Sequence, residues 1–586
     1  MMQKRKAIIL IVSIVTLLLL GLGPSVKQMN ILFKNATYFI ILILFIMWTL
    51  RLIGVYGNKF KQGLKAHWPA LLLSFVLVAF IFVISPPKFK VLTDEANLIG
   101  VSMMMHEDKT AALPIEGIYR DFAPPKFTTK IDKRPVFFPF LVSLVHAAIG
   151  YSPYNGFILN FILGCALLFC MYLTVSTVLT RTYGLLSVLL LASAPIFVVY
   201  VTSSGFEVLN ALFLVFSFLI LIKVCEHRNE TKTTELLLLT LLLLAQCRYE
   251  SLIILPLFII ILLPLLWQQK FFRKMSFLSC LMPLFLLPVV WQRMLYLDLP
   301  VVNKVDFNLF QRITVPFSLK NLIQNVDDNI YVLLGIDPKW GFSFILAGLG
   351  LTGIYLMGKN LVLKNGLYIK KSVIIAGITA FVLLLAIISA FYWGKFTIHM
   401  DNRLALAFLP FIVWASMYGL YCIGRHIKRP SAVTLTILFI FHLLFFWPFG
   451  DAQRVSNFMV APREYRSAMA FLNANYQNRS DTLILAEHPN MYIIHKYSAY
   501  STSSIDKMLE ALPDTKIKRI VALQEFNVRS GKIATNSRLD DQIETKVVEV
   551  ISITPDWVLK ISECRYNPDS GNLIKQDPPP MRDKQL

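Results

Sequence analysis

The residues able to do chemistry in this chain sit where apolar runs end. Val91-Leu92-Thr93-Asp94-Glu95-Ala96-Asn97 places two adjacent carboxylates shortly after one such run. Partial desolvation at a membrane surface raises a carboxylate's proton affinity, which suits a general base with a second carboxylate to orient substrate or bind a metal. The local alternative is that Thr93 or Asp94 merely caps a helix over Glu95 to His106. Cys165, Cys170, Cys225, Cys247, Cys280, Cys422 and Cys564 show neither zinc-ligand spacing nor a paired framework. Neither a disulfide scaffold nor a His/Cys metal cluster is read.

Composition states what must position these acids. Of 586 residues 56% are hydrophobic and 16% charged, against about 25% charged in an ordinary soluble domain. Apolar runs of near-spanning length occupy 7–23, 38–56, 68–84, 155–180, 184–201, 206–224, 235–247, 251–267, 276–296, 341–358, 372–393, 403–424 and 431–449. The expected fold is mainly α, a polytopic membrane protein of about thirteen helices. A net charge of +22 would suggest nucleic acid in a soluble protein. Here most of it falls in loops that the positive-inside rule puts in the cytoplasm, from Lys4, Arg5 and Lys6 to Arg425, Lys428 and Arg429. That assignment requires 136–149 not to cross, so it is read as an amphipathic helix at the outer surface, begun by the prolines at 135 and 139. No nucleic-acid partner is expected. The first run is read as an uncleaved anchor, because Gly23-Pro24 is a poor signal-peptidase site.

This topology leaves large outward segments at 85–154, at 297–340 and from 450 onward. The last alternates helical patterns (Arg463 to Tyr476, Ile505 to Leu512) with strand-like runs (Thr482 to Ala486, Arg519 to Leu523, Lys546 to Ile553, Trp557 to Ser562). The expected organisation is two additional helices in 1–67, a membrane domain in 68–450, a small extracytoplasmic α/β domain in 451–565 and a disordered tail in 566–586.

Asp94-Glu95 after an early span, an outer loop ending Lys133-Arg134-Pro135-Val136-Phe137-Phe138-Pro139-Phe140, an apolar helix closing at Ile149-Gly150, and a long membrane helix ending near Arg181-Thr182-Tyr183-Gly184 together resemble the C-type membrane glycosyltransferases. The resemblance covers about residues 68–450. It is strongest to the bacterial polyprenyl-phosphate-sugar transferases, aminoarabinose transferases among them, and to the protein O-mannosyltransferases. In that light Ser203-Ser204-Gly205-Phe206-Glu207 resembles the family's second acidic site, with Glu207 where many relatives have Asp; a helix-start carboxylate is the rival reading. Arg248, in Arg248-Tyr249-Glu250, stands where relatives face the lipid carrier's phosphate, and a guanidinium offers phosphate a bidentate fork. An interfacial Arg beside a belt tyrosine, Tyr249, is the alternative. His399-Met400-Asp401-Asn402-Arg403 resembles the late basic site, where Arg403 holds phosphate or sugar or else pairs with Asp401.

The resemblance implies sugar transfer from a polyprenyl-phosphate donor to a lipid, glycan or protein acceptor, on the outer face of a bacterial cytoplasmic membrane and with inversion. Asp94 and Glu95 are the implied catalytic pair, Arg134, Arg248 and Arg403 the donor-phosphate residues, and Glu207, Tyr249 and Asp401 the substrate contacts. Asp94, Glu95 and Glu207 are the acids available to a divalent cation, the one cofactor in question. A polysaccharide polymerase or ligase would use the same donor chemistry. A transporter or flippase would instead place its ionisable groups near the bilayer midplane, often with internal repeats.

Overall fold

The computed structural model describes residues 2–120, 124–226, 231–268, 271–296, 317–363, 371–398, 400–426, 460–512, 515, 517–529, 532–533, 545–564, 566–567 and 572–573. The expected span 431–449, residues 297–316 of the expected outer loop, His399, and 574–586 of the tail lie outside them.

The helices run α1 (Met2–Leu22), α2 (Val26–Tyr56), α3 (Phe60–Ile84), α4 (Leu92–Glu107), α5 (Phe137–Ile149), α6 (Asn155–Val178), α7 (Arg181–Ser193), α8 (Pro195–Val201), α9 (Glu207–Glu226), α10 (Thr231–Ala245) and α11 (Ile254–Gln268). They continue with α12 (Phe271–Lys274), α13 (Leu287–Tyr296), α14 (Leu319–Leu333), α15 (Phe344–Leu363), α16 (Lys371–Ala390) and α17 (Leu409–His426). Among the described residues nine helices are long and apolar enough to cross a membrane, or ten if α7 and α8 form one span bent by 72°. The chain is an integral membrane protein. The bend falls at Ala194-Pro195, where proline sits in the first turn of α8 and its ring disfavours a helical Ala194. The run 235–247 forms α10, 15 residues long, and 341–358 falls largely within α15.

Helices α1 and α2 pack into the bundle. Trp48 Nε1 donates to Thr240 Oγ1 (3.0 Å), Arg51 pairs with Glu235 (2.6 Å), and Trp291 Nε1 donates to the Leu20 carbonyl (2.7 Å). Apolar surface gains little from meeting apolar surface inside lipid, so such polar contacts and close packing supply the association. Phe45 and Trp48 of α2 meet Phe137 and Phe140 of α5 and Phe213 of α9 at ring-centroid distances of 5.6–6.2 Å, and Phe137 meets Phe213 at 5.3 Å.

The second body is a sheet. Its strands are β1 (Leu113–Ile118), β2 (Lys126–Lys130), β3 (Thr482–Ala486), β4 (Ser498–Ser501), β5 (Arg519–Asn527), β6 (Lys532–Ile533), β7 (Thr545–Thr554) and β8 (Trp557–Cys564). The order is β2-β1-β4-β3-β5-β8-β7, with β6 on β5. Strands β4, β3 and β5 are parallel, while β8 and β7 add antiparallel. Helices α18 (Val460–Asn475), α19 (Asn490–Ile493) and α20 (Ile505–Ala511) accompany them. All four strand-like runs of the tail are strands. The sheet, however, is completed from the first expected outer loop, because β1 pairs with β4 at Gly117 and Ala499. Short strands β9 (Tyr566–Asn567) and β10 (Asn572–Leu573) pair within the segment expected to be disordered.

Candidate active site

Five separated segments bring charge to one place. Asp94 lies in the first turn of α4, Arg134 in the strap before α5, Glu207 opens α9, Arg248 follows α10, and Arg403 lies in a 3-10 turn leading into α17. Asp94 is gripped on both oxygens: Oδ1 by Arg134 and Oδ2 by Arg403 (2.5 Å). Arg403 reaches on to Glu207 (3.6 Å), which Arg248 also approaches (3.4 Å). Arg248 further bonds Glu250 through Nε (3.2 Å) and Nη2 (3.4 Å), and its guanidinium lies 4.8 Å from the Phe206 ring centroid. A Cβ at Gly205 would overlap Glu207 Oε2, so a side chain there would push that carboxylate from its present place.

Arg134 is fixed from behind. Its Nη1 donates to Asp132 (2.6 Å), and Gln292 holds both the Asp132 and Arg134 carbonyls (2.7 and 2.5 Å). Tyr249 Oη donates to the Lys133 carbonyl (2.6 Å), pinning the same strap from α10's end. The amides of Asn97 and Asn490 meet at 2.6 Å, so α19 of the sheet body braces α4 beside the site.

Burial alone would raise the Asp94 pKa, but the Arg403 and Arg134 guanidinium groups outweigh it and hold the carboxyl well below the usual range. Asp401 shows the opposite balance. Burial pushes it up to about 7 against the pull of Arg403. Both line a cavity of about 130 Å³ with Lys133, Arg134, Arg248, Tyr249, Arg293, Tyr392, Trp393 and Arg403.

The expected residues therefore divide. Asp94, Arg134, Arg248, Tyr249, Asp401 and Arg403 line this cavity, and Glu207 lies behind Arg403 and Arg248 in an adjoining cleft. Glu95 does not line it. Its Oε1 accepts from the backbone N–H groups of Lys90 and Val91, and Oε2 from that of Ser204, each at 3.0 Å. Burial pushes its pKa up to about 7 even so. Two of the local alternatives are decided here. The helix begins at Leu92 with no side-chain cap from Thr93 or Asp94, because Glu95 reaches back to the free N–H groups. Arg403 pairs with Asp94 and Glu207, not with Asp401.

Asp132, Glu250 and Gln292 were not singled out from sequence. Asp132 and Glu250 each stand two residues from a singled-out arginine, a signal that charge alternation carries. Gln292 had none, being placed by packing alone.

Among the described residues no group of three or more His, Cys, Asp or Glu side chains is arranged for a metal ion. The Asp94 oxygens and Glu207 Oε1 face guanidinium groups, so this arrangement does not fit a cation.

Fold and site together describe a polytopic membrane protein with a charged pocket where its helices end. Residues 133–291, which include Arg134, Glu207 and Arg248, match the family model described as dolichyl-phosphate-mannose-protein mannosyltransferase. The structure of ArnT from Cupriavidus metallidurans bound to undecaprenyl phosphate has this fold, with a TM-score of 0.53 at 10% identity over 85% of this chain and 98% of that one. The Archaeoglobus fulgidus oligosaccharyltransferase is similar at TM-score 0.46 and 11% identity, over 80% of this chain and 73% of that one. No curated protein sequence matches the chain.

Proposed function

We propose that the protein transfers a sugar from a polyprenyl-phosphate donor to an acceptor hydroxyl, with inversion, on the outer face of a bacterial cytoplasmic membrane. The observation that carries this reading is the convergence of Arg134, Arg248 and Arg403 on Asp94 and Glu207 from five separated segments. The buried Nε of Arg134 has no hydrogen-bond partner among the described residues and that of Arg403 only the 3.6 Å approach of Glu207, so the cluster retains donors for phosphate oxygens. The ArnT structure, bound to undecaprenyl phosphate, supports the donor class.

An apolar cavity of about 340 Å³ between α15, α16 and α17 suits the prenyl tail. Leu385 and Phe381 of α16 line it, while Leu384 and Ile388 of the same helix line the cleft with Arg248 and Arg403. A lipid with its phosphate on those arginines would run its tail along α16.

Asp94 accepts the acceptor proton as the hydroxyl oxygen attacks the anomeric carbon. The bond from that carbon to the phosphate oxygen breaks, and the electron pair leaves with polyprenyl phosphate. Arg248 and Arg403 neutralise the charge that develops there. In the resting site Asp94 is a weak base because both oxygens are engaged. A donor phosphate that draws Arg403 away frees one oxygen and raises its basicity, tying proton transfer to donor binding. Glu95 holds the start of α4 and so positions Asp94. A second reading makes Asp401 the base, favoured by its place in the cavity and its pKa near neutrality.

Mass spectrometry of envelope lipids, glycans and glycoproteins with and without the gene tests the reading. Loss of one sugar from one acceptor class, with its lipid-linked donor accumulating, is the expected result. An unchanged glycan profile with a redistributed lipid-linked precursor points instead to transport.

A further inference from the structure

A second basic site lies where the chain leaves α3. Ser85-Pro86-Pro87-Lys88-Phe89-Lys90 follows the candidate span Lys61–Ile84 directly. The Phe89 ring packs on Phe157 of α6 (5.2 Å) and on Tyr465 of α18 (6.0 Å), joining this segment to the sheet body. Lys88 and Lys90 flank Phe89, while Arg466 follows Tyr465 and Arg463 stands two residues before it with Glu464 between. Lys88 lies within electrostatic reach of Arg463 and Arg466, and Lys90 within reach of Lys88 and Arg466.

Lys90 is only 4% exposed, and its Nζ has no hydrogen-bond partner among the described residues. Burying an ammonium without a partner is strongly unfavourable. The one acid acting on it is Glu95, whose oxygens already serve three backbone N–H groups. The backbone beneath the cluster is pinned by those same bonds and by Lys88 N–H to the Thr202 carbonyl (3.2 Å). Lys88 and Lys90 thus stand on a pinned backbone, within electrostatic reach of the arginines on α18. Burial and the neighbouring Lys88 charge push Lys90 down to about 7, which an anion beside it would reverse.

We infer that Lys88, Lys90, Arg463 and Arg466 form a binding site for a phosphate-bearing anion, separate from the donor pocket. Phosphate matches the donor set, since two guanidinium forks and two ammonium groups meet its oxygens at several points. The group arrives either on an anionic lipid headgroup, which the adjoining membrane helix would bring to this level, or as free phosphate.

Two arms of one experiment test the site and separate the sources, using the delipidated full-length chain in detergent. Native mass spectrometry compares retention of phosphatidylglycerol with phosphatidylcholine, and calorimetry follows titration with inorganic phosphate. Each is run on the wild type, Arg466→Ala and Lys90→Met; the first, at an exposed position, keeps the test valid if the buried substitution impairs folding. The expected result is binding in at least one arm that weakens about tenfold or more in the folded variants. Selective retention of phosphatidylglycerol alone assigns the lipid headgroup, and calorimetric binding assigns phosphate itself. Equal behaviour of the wild type and Arg466→Ala in both arms overturns the proposal.

Discussion

The donor pocket and the Lys88–Arg466 cluster hold their basic residues in opposite ways. In the pocket three arginines end on carboxylates: Arg134 on Asp94 and Asp132, Arg403 on Asp94 and Glu207, Arg248 on Glu207 and Glu250. Around Lys90 the described residues offer no carboxylate oxygen within ion-pair distance of the four cations. The difference teaches what each site asks of an anion. A phosphate entering the pocket would compete with carboxylates, so on the proposed mechanism its binding rearranges the groups assigned to the chemistry. One entering beside Lys90 displaces nothing and serves to hold.

The largest effect on this contrast is expected from Arg403→Ala, which takes a shared partner from Asp94 and Glu207. Removing one member of a buried charge pair costs about 2–5 kcal/mol, so sugar transfer should fall roughly 10²-fold or more. Transfer in proteoliposomes at saturating donor checks it; activity within a factor of about two of wild type breaks the claim that the pocket is a working network. Arg248→Ala removes one guanidinium but leaves Asp94 clamped. The expected change is a donor KM higher by about tenfold with a smaller loss in kcat, and an unchanged KM removes Arg248 from the phosphate.

Acidity separates the two candidate bases. With Asp94 held ionised far below neutrality, the rate is expected to stay level from about pH 5 to pH 8. Asp401, raised to about 7, becomes protonated as pH falls through that value and loses its capacity to accept a proton. A falling acidic limb centred near 7 in the wild type and absent from Asp401→Asn therefore transfers the base role to Asp401. Glu95→Gln is expected to have the smallest effect on chemistry. It weakens the bonds to the Lys90, Val91 and Ser204 N–H groups, for about 1–3 kcal/mol of stability. Thermal unfolding should show this as a lowered Tm with the donor KM little changed; a selective loss of kcat at unchanged Tm returns Glu95 to the reacting groups.

Much of this arrangement was legible in the sequence because it depends on local periodicity and charge. Apolar run length located the helices, and alternation over Lys546 to Ile553 and Trp557 to Ser562 located strands β7 and β8 to within a few residues. Asp94, Arg134, Arg248 and Arg403 stand out because they interrupt or border apolar runs. What escaped is what long-range packing decides. Nothing near Leu113–Ile118 says that it will join a sheet built mostly from residues beyond 480. Nothing in Asp94-Glu95 says which acid turns to the cavity and which to the backbone; that follows from the rotation of α4 and from where Ser204 arrives. The partner of Arg403 was likewise undecidable, since Asp401 lies two residues away and Asp94 more than three hundred.

The most direct test of the central claim is turnover of a polyprenyl-phosphate sugar by the purified protein in proteoliposomes, wild type beside Asp94→Asn, with folding of both verified. The expected result is transfer and release of polyprenyl phosphate by the wild type, reduced about 10²- to 10⁴-fold in the variant. Equal turnover by the two proteins contradicts the account, because the carboxylate on which the pocket is organised would then take no part in the reaction.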